Sequence, residues 1–298
     1  MGRIGPEGEQ RRNSFEYQEQ FLLRAASESH DRDDARVING PFAGDFNSIF
    51  NASNAGLKAI DPTLPYGALL LDEYQSPETT AQIESLSDFQ KAKLESARQE
   101  RSRLVNNLTL SKITGRLAGQ EIPQGLLVKP KFRRMPYATG KCTNACFRMV
   151  SSDILGWDMQ EDLVEQAVLH EDEERVVPDK DYWNLLRTDA FTQEAGHEVS
   201  VARFLGADLD TIAKFAGIVK ERHPEARVYC VASIRGKSPD REDTSHRVVL
   251  LNATQGGVFV HDPAWRPDGN MGDNFPMQKF EFTKRWAAAN NSGLFVVA

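Results

Sequence analysis

Apolar residues are sparse at the start of the chain and dense toward its end. Over residues 1–60, Gly, Asn, Ser and charged residues dominate and no period persists. This predicts a flexible, irregular region with a short helix at YQEQFLLRAASES. The three prolines of IDPTLPYGALLLDEYQSPETT mark further irregular structure. After Ser76 and Pro77, which suit a helix cap and first turn, the spacing becomes helical. Ile83, Leu86, Phe89, Leu94, Ala97, Leu104, Val105 and Leu108 line one face, with Lys, Arg and Glu between them. Such an arm packs on the rest of the protein, binds a partner, or covers a site; the pattern fits all three. EIPQGLLVKPKFRRMPYATGK then reads as a basic linker punctuated by proline.

Past about residue 135 the pattern tightens. A helix is predicted from Cys142 to about Leu155, ending at Gly156, and a second over EDLVEQAVLHEDEE. A third runs from about Asp208 to Arg222, with Leu209, Ile212, Phe215, Ala216 and Val219 on one side and Pro224 beyond its end. ARVYCVASI at 226–234 is a β-branched, apolar run that predicts a buried strand. HRVVLLNAT at 246–254 and GGVFVHDPA at 256–264 flank a short Gly-containing turn and predict a hairpin. KFEFTKRW and GLFVVA are read as strands that close the sheet. Helices followed by antiparallel strands give an α+β fold. The chain thus divides into a flexible or irregular region (1–75), a helical arm and linker (76–130) and a dense domain (131–298). The apolar GLFVVA end predicts a buried last strand.

The totals exclude some functions. The 298 residues suffice for a core without covalent staples. A net charge of −7 argues against nucleic acid or an anionic membrane as a partner. Three cysteines argue against a disulfide framework. No segment reaches the roughly 18 apolar residues of a membrane span, and the N-terminus lacks the apolar stretch of a secretory signal. The expected location is the cytoplasm, with a signal-less export route left open.

Two of the three cysteines sit four apart in GKCTNACFRMV. A helix start lowers a thiol pKa, and an imidazole can take its proton, so Cys142 stands where a nucleophile would. Cys146, one turn on, reads as a packing residue, and Cys230 lies in an apolar strand. No set of ligands at zinc spacing accompanies the cysteines, so neither metal nor cofactor is expected. Of the six histidines, His246 opens a strand. A hairpin turning near 254–257 puts residue 246 opposite 264–265 and diagonal to Asp262, which would orient its ring. His261, by alternation, belongs to the other face. Cys142, His246 and Asp262 thus stand in the order Cys, His, Asp, at spacings of 104 and 16 residues.

Cys142, Ala145, Cys146 and Met149, the strand SHRVVLLNAT and the strand end VFVHDPA together resemble the C39-like cysteine peptidases, which have a papain-like fold. The MPY at 135–137 resembles that family's strand entry before its active-site loop. The resemblance covers about residues 133–298. It implies Cys142 as nucleophile, His246 as general base and acid, Asp262 as orienting residue, and a peptide or protein substrate. Two features depart from the family pattern. Thr143-Asn144 stands where the family has Gly-Pro, and no glutamine lies between Gln124 and Cys142 to supply an oxyanion donor. Thr139, Gly140 or Lys141 fills that region, and first-turn N–H groups or Asn144 are the substitutes. Trp265, just past Asp262-Pro263, is a candidate cleft wall. A non-catalytic binding module on the same fold is the alternative, as is a deamidase or acyltransferase using the same intermediate.

Overall fold

Residues 228–232 are apolar at both odd and even positions, and a strand of that kind must be covered on both faces. The computed structural model shows how. It describes residues 14–30, 87–89, 91–92, 119–135, 141–168, 179–204, 207–238, 241–264, 272–289 and 291–298. Its elements are helices α1 (Phe15–His30), α2 (Cys142–Leu155), α3 (Glu161–Val168), α4 (Asp179–Leu185) and α5 (Asp189–Ala195), strand β1 (Ser200–Phe204), helix α6 (Leu209–Arg222), strands β2 (Val228–Ser238), β3 (Arg241–Thr254), β4 (Gly257–His261) and β5 (Phe275–Met277), helix α7 (Lys279–Ala288) and strand β6 (Gly293–Val297).

The strands form a six-stranded sheet in the order β1-β6-β2-β3-β4-β5, with every pairing antiparallel. Tyr229 and Val231 of β2 face a core built with α1 to α5. Val228, Cys230, Ala232 and Ile234 face a second core with α6 and α7. Helices on both sides of an antiparallel sheet make this a three-layer α+β architecture.

α2 lies in the first core, with Cys146, Phe147, Met149 and Val150 buried; the Phe147 ring meets Trp183 edge-on at 5.7 Å. It ends where Gly156 turns left-handed at φ 75°, a conformation glycine adopts without strain. α6 begins at Asp208, whose carboxylate accepts from the Thr211 N–H.

α1 is built into the same core. Leu22 and Ala25 are buried in it, and Gln18, 1 % exposed, donates to the Asp158 carbonyl and accepts from the Gln160 N–H. The segment read as a linker also contributes. Ile122 bridges to Ala253, Val128 donates to the Val228 carbonyl, and Leu127 is buried in the second core. The helix expected from Ser76 lies outside the described residues except at 87–89 and 91–92.

KFEFTKRW is a helix, not the expected strand. Phe280 and Phe282 alternate as in a strand, but Phe282 and Trp286, four apart, share one helical face and both are buried. Their rings pack at 5.4 Å and the charged residues between them take the other sides, so the longer period prevails. GLFVVA does form the expected strand, β6, and β1 and β5 complete the sheet.

Candidate active site

The β3–β4 hairpin sets the site. Its ladder runs from Thr254↔Gly257 to Val249↔His261, with a bulge between Leu250 and Asn252. The bulge leaves Val249 and Leu251 in the core under α2 while Ala253 joins the opposite one. At the far end β3 continues alone past the last pair, and His246 is held by β2 through its pairing with Ile234.

His246 Nε2 lies 2.6 Å from Asp262 Oδ1. Asp262, 1 % exposed, is fixed by its own backbone: its N–H donates to the Gly272 carbonyl, and its Oδ1 also accepts from the Ala264 N–H. Gly272 is required there because a Cβ would overlap the Asp262 carbonyl. The neighbouring Pro263 carbonyl accepts from the Met135 N–H, tying this corner to the segment before α2.

Cys142 completes the group. It opens α2, is 6 % exposed, and its thiol is hydrogen-bonded to the His246 side chain. With Nε2 engaged by Asp262, Nδ1 is the ring nitrogen left for the sulfur. Burial alone would push the Cys142 thiol up. The His246 hydrogen bond and charge, followed by the Arg247 backbone N–H and charge, outweigh it and bring the thiol below its ordinary range. Burial likewise would push the His246 imidazole down. The Asp262 carboxylate, helped by Cys142, prevails and lifts it to about 10. A thiol moved down beside an imidazole moved up is the condition for a thiolate–imidazolium pair.

The other candidates take separate places. His261 is fully buried and is not part of this group. Its Nε2 pairs with the Pro130 carbonyl and its Nδ1 accepts from the Asn274 N–H, which makes it the neutral, Nε2-protonated ring. Burial pushes its pKa down. Cys146 and Cys230 are fully buried, and burial pushes the Cys230 thiol up; none of the three cysteines is in a disulfide. Lys141 precedes Cys142 but reaches to α3, 2.5 Å from Glu165 Oε2. Asn144 is 1 % exposed, and its side-chain amide has no hydrogen-bond partner among the described residues. The helical period carries it about 200° round from Cys142. Thr139 and Trp265 lie outside the described residues.

Two contributors escaped the reading of the sequence, Gly272 and Arg247. Gly272 sits in an undistinguished NMGDNF, and only its approach to Asp262 reveals it. Arg247 looks like a surface strand residue, yet it is 6 % exposed and its N–H meets the sulfur.

Among the described residues no three or more His, Cys, Asp or Glu are grouped to hold a metal ion, and no helix is long and apolar enough to cross a membrane. No family model matches the chain, and no curated protein matches it. Among solved structures it resembles the crystal structure of a "putative C39-like peptidase from Bacillus anthracis", at 13% identity and a TM-score of 0.36, over 57% of this chain and 94% of that one.

Proposed function

We propose that this protein is a thiol-dependent amide hydrolase of the cysteine-peptidase kind, on a papain-like fold, with peptide or protein as substrate. The observation that carries the reading is the meeting of Cys142, His246 and Asp262 at one corner of the sheet, with the thiol lowered and the imidazole raised.

In this reading the Cys142 thiolate attacks the carbonyl carbon, and the C=O π electrons move to the oxygen. First-turn N–H groups of α2, which a helix leaves without internal acceptors, stabilise that charge. Asn144, about 200° round α2 from Cys142, is not assigned to it. The intermediate collapses, the C–N bond breaks, and His246 gives its proton to the leaving amine. Water then attacks the acyl-enzyme. His246 takes one of its protons, the C–S bond breaks, and the thiolate–imidazolium pair returns. Asp262 keeps Nε2 engaged throughout, so Nδ1 stays aimed at the sulfur.

The test is turnover of a mixed peptide library by the full chain and by Cys142→Ala, followed over pH. Activity needs Cys142 deprotonated and His246 protonated. Turnover therefore rises on an acid limb below the ordinary thiol range and falls on a basic limb near the His246 value of about 10. Absence of any Cys142-dependent turnover, together with an ordinary Cys142 thiol, would sink the reading.

The 6 % exposure of Cys142 favours one second reading, a binding module that keeps the fold without turnover. That protein would bind peptides equally well with Cys142→Ala and hydrolyse none.

A further inference from the structure

The residue after His246 carries more than strand propensity. Ser233 pairs with Arg247 across β2 and β3. The Ser233 N–H bonds to the Ser292 carbonyl, on the β6 side. In an antiparallel ladder this makes Ser233 and Arg247 a non-hydrogen-bonded pair, so the Arg247 N–H points away from β2, toward the β4 side. The β3–β4 ladder has already ended at Val249↔His261. A backbone donor on a buried strand is thereby left without a ladder acceptor, at the place where α2 delivers the Cys142 sulfur.

The side chain matters as well. Arg247 is 6 % exposed, and a guanidinium is charged at every accessible pH. A charged head taken out of water requires compensating interactions. Its charge acts on Cys142, and its N–H donates to the same sulfur.

Resting on the hydrolase reading, we propose that Arg247 is a positioning residue acting through Cys142. Its N–H fixes the sulfur at the mouth of α2, and its guanidinium supports the anion independently of His246. His246 loses its positive charge when it protonates the leaving amine, but Arg247 cannot. The acyl-enzyme sulfur therefore lies beside a cation even before His246 regains its charge from the attacking water, and it departs beside both. A stabilised thiolate is the better leaving group.

Among the described residues the other charges against α2 are engaged elsewhere, Asp153 with Arg227 and Tyr229 at its C-terminal end. Glu161 and Glu165 of α3 hold Lys141 and Arg148. Glu194 of α5 accepts from Tyr17 and lies near Trp157, beyond the other end of α2. Tyr182 of α4 offers a ring to Phe147. Asp262 reaches the sulfur only through His246.

The experiment is iodoacetamide labelling of each cysteine in the full chain against pH, read by mass spectrometry, in wild type, Arg247→Gln, Arg247→Lys and His246→Ala. Cys230, fully buried, reports unfolding by its own labelling. The expected result is a wild-type Cys142 midpoint below the ordinary value of about 8.5. Arg247→Gln raises it by about one pH unit, a tenfold loss of labelling on the acid side. Arg247→Lys retains most of the wild-type profile, and His246→Ala raises the midpoint on its own. A wild-type midpoint that moves in His246→Ala but not in Arg247→Gln overturns the proposal and leaves the hydrolase reading standing. An ordinary wild-type midpoint overturns both. If Arg247→Gln exposes Cys230, Arg247→Met carries the test; if that too unfolds, Arg247 is a core residue and the proposal falls.

Discussion

Helix α2 is pinned to the sheet at both ends by a carboxylate, and the two ends behave oppositely. At its C-terminal end Asp153 accepts from the Tyr229 hydroxyl at 2.8 Å and pairs with Arg227, which also donates to the Asp153 carbonyl and lies over the Tyr229 ring. At its N-terminal end Asp262 holds His246, which holds Cys142. Burial, with Asp153 adding to it, pushes the Tyr229 hydroxyl up, away from any pH the protein meets. The proton there is fixed, and the cluster acts as a strap. At the other end the thiol moves down and the imidazole moves up. Both ends use a carboxylate, half-buried at Asp153 and fully buried at Asp262. On the hydrolase reading, the end whose carboxylate orients an imidazole beside a thiol is the reacting one, and the end whose carboxylate binds a permanent cation is structural.

The largest effect that sharpens this comparison is a pair of substitutions. His246→Ala should cut peptide turnover by about 10³-fold or more while thermal unfolding moves little. Asp153→Ala should do the reverse. Removing it leaves a buried phenol without its acceptor and a half-buried guanidinium with only the backbone carbonyl of residue 153, at about 1–2 kcal/mol after allowance for solvent around Arg227. Turnover by the folded fraction should stay within about twofold. Parallel melting curves and kcat/KM values check both. An Asp153→Ala protein that folds normally and loses turnover would dissolve the distinction.

Next in size is Gly272→Ala. The new methyl group would overlap the Asp262 carbonyl, so the hydrogen bond between the two segments must open and Asp262 must shift. A displacement of about 1 Å at a positioning group costs about 10²-fold in rate. The expected signature is a fall in kcat with a Cys142 labelling midpoint moved toward that of a free thiol. A variant that loses stability while its folded fraction keeps full kcat would place Gly272 with the strap rather than with the reacting end.

Much of this was legible because local signals and tertiary packing agreed. α2 was bounded by its apolar spacing and by Gly156. The hairpin was written in its turn and its alternating residues, and counting from the turn put residue 246 diagonal to 262. The Leu250–Asn252 bulge was invisible, since it depends on which core each side chain fills. KFEFTKRW misled because two phenylalanines obey the strand period while the burial of Trp286 obeys the helical one. α4 and α5, seven residues each, are too short for a period to declare itself. The cap on α5 is a lone Thr188. Arg247 could not be read at all. Its importance lies in where a neighbouring ladder stops, which is a property of the sheet and of no local pattern.

The smallest expected effect tests whether closeness in sequence means closeness in action. Lys141 adjoins Cys142 and would be the first cation suspected of holding its thiolate. In the fold its ammonium turns to Glu165, with Glu161 at 4.0 Å, and is 30% exposed. Such a pair contributes less than about 1 kcal/mol, because water screens it and two long side chains must be ordered to make it. Lys141→Ala should therefore lower the melting temperature slightly and leave the Cys142 labelling profile where it was. The cations that act on the sulfur, His246 and Arg247, arrive from a strand more than a hundred residues away. A clear upward move of the Cys142 midpoint in Lys141→Ala would mean that the helix start, rather than the sheet, sets the thiol. The reacting end of α2 would then owe less to the hairpin than its geometry says.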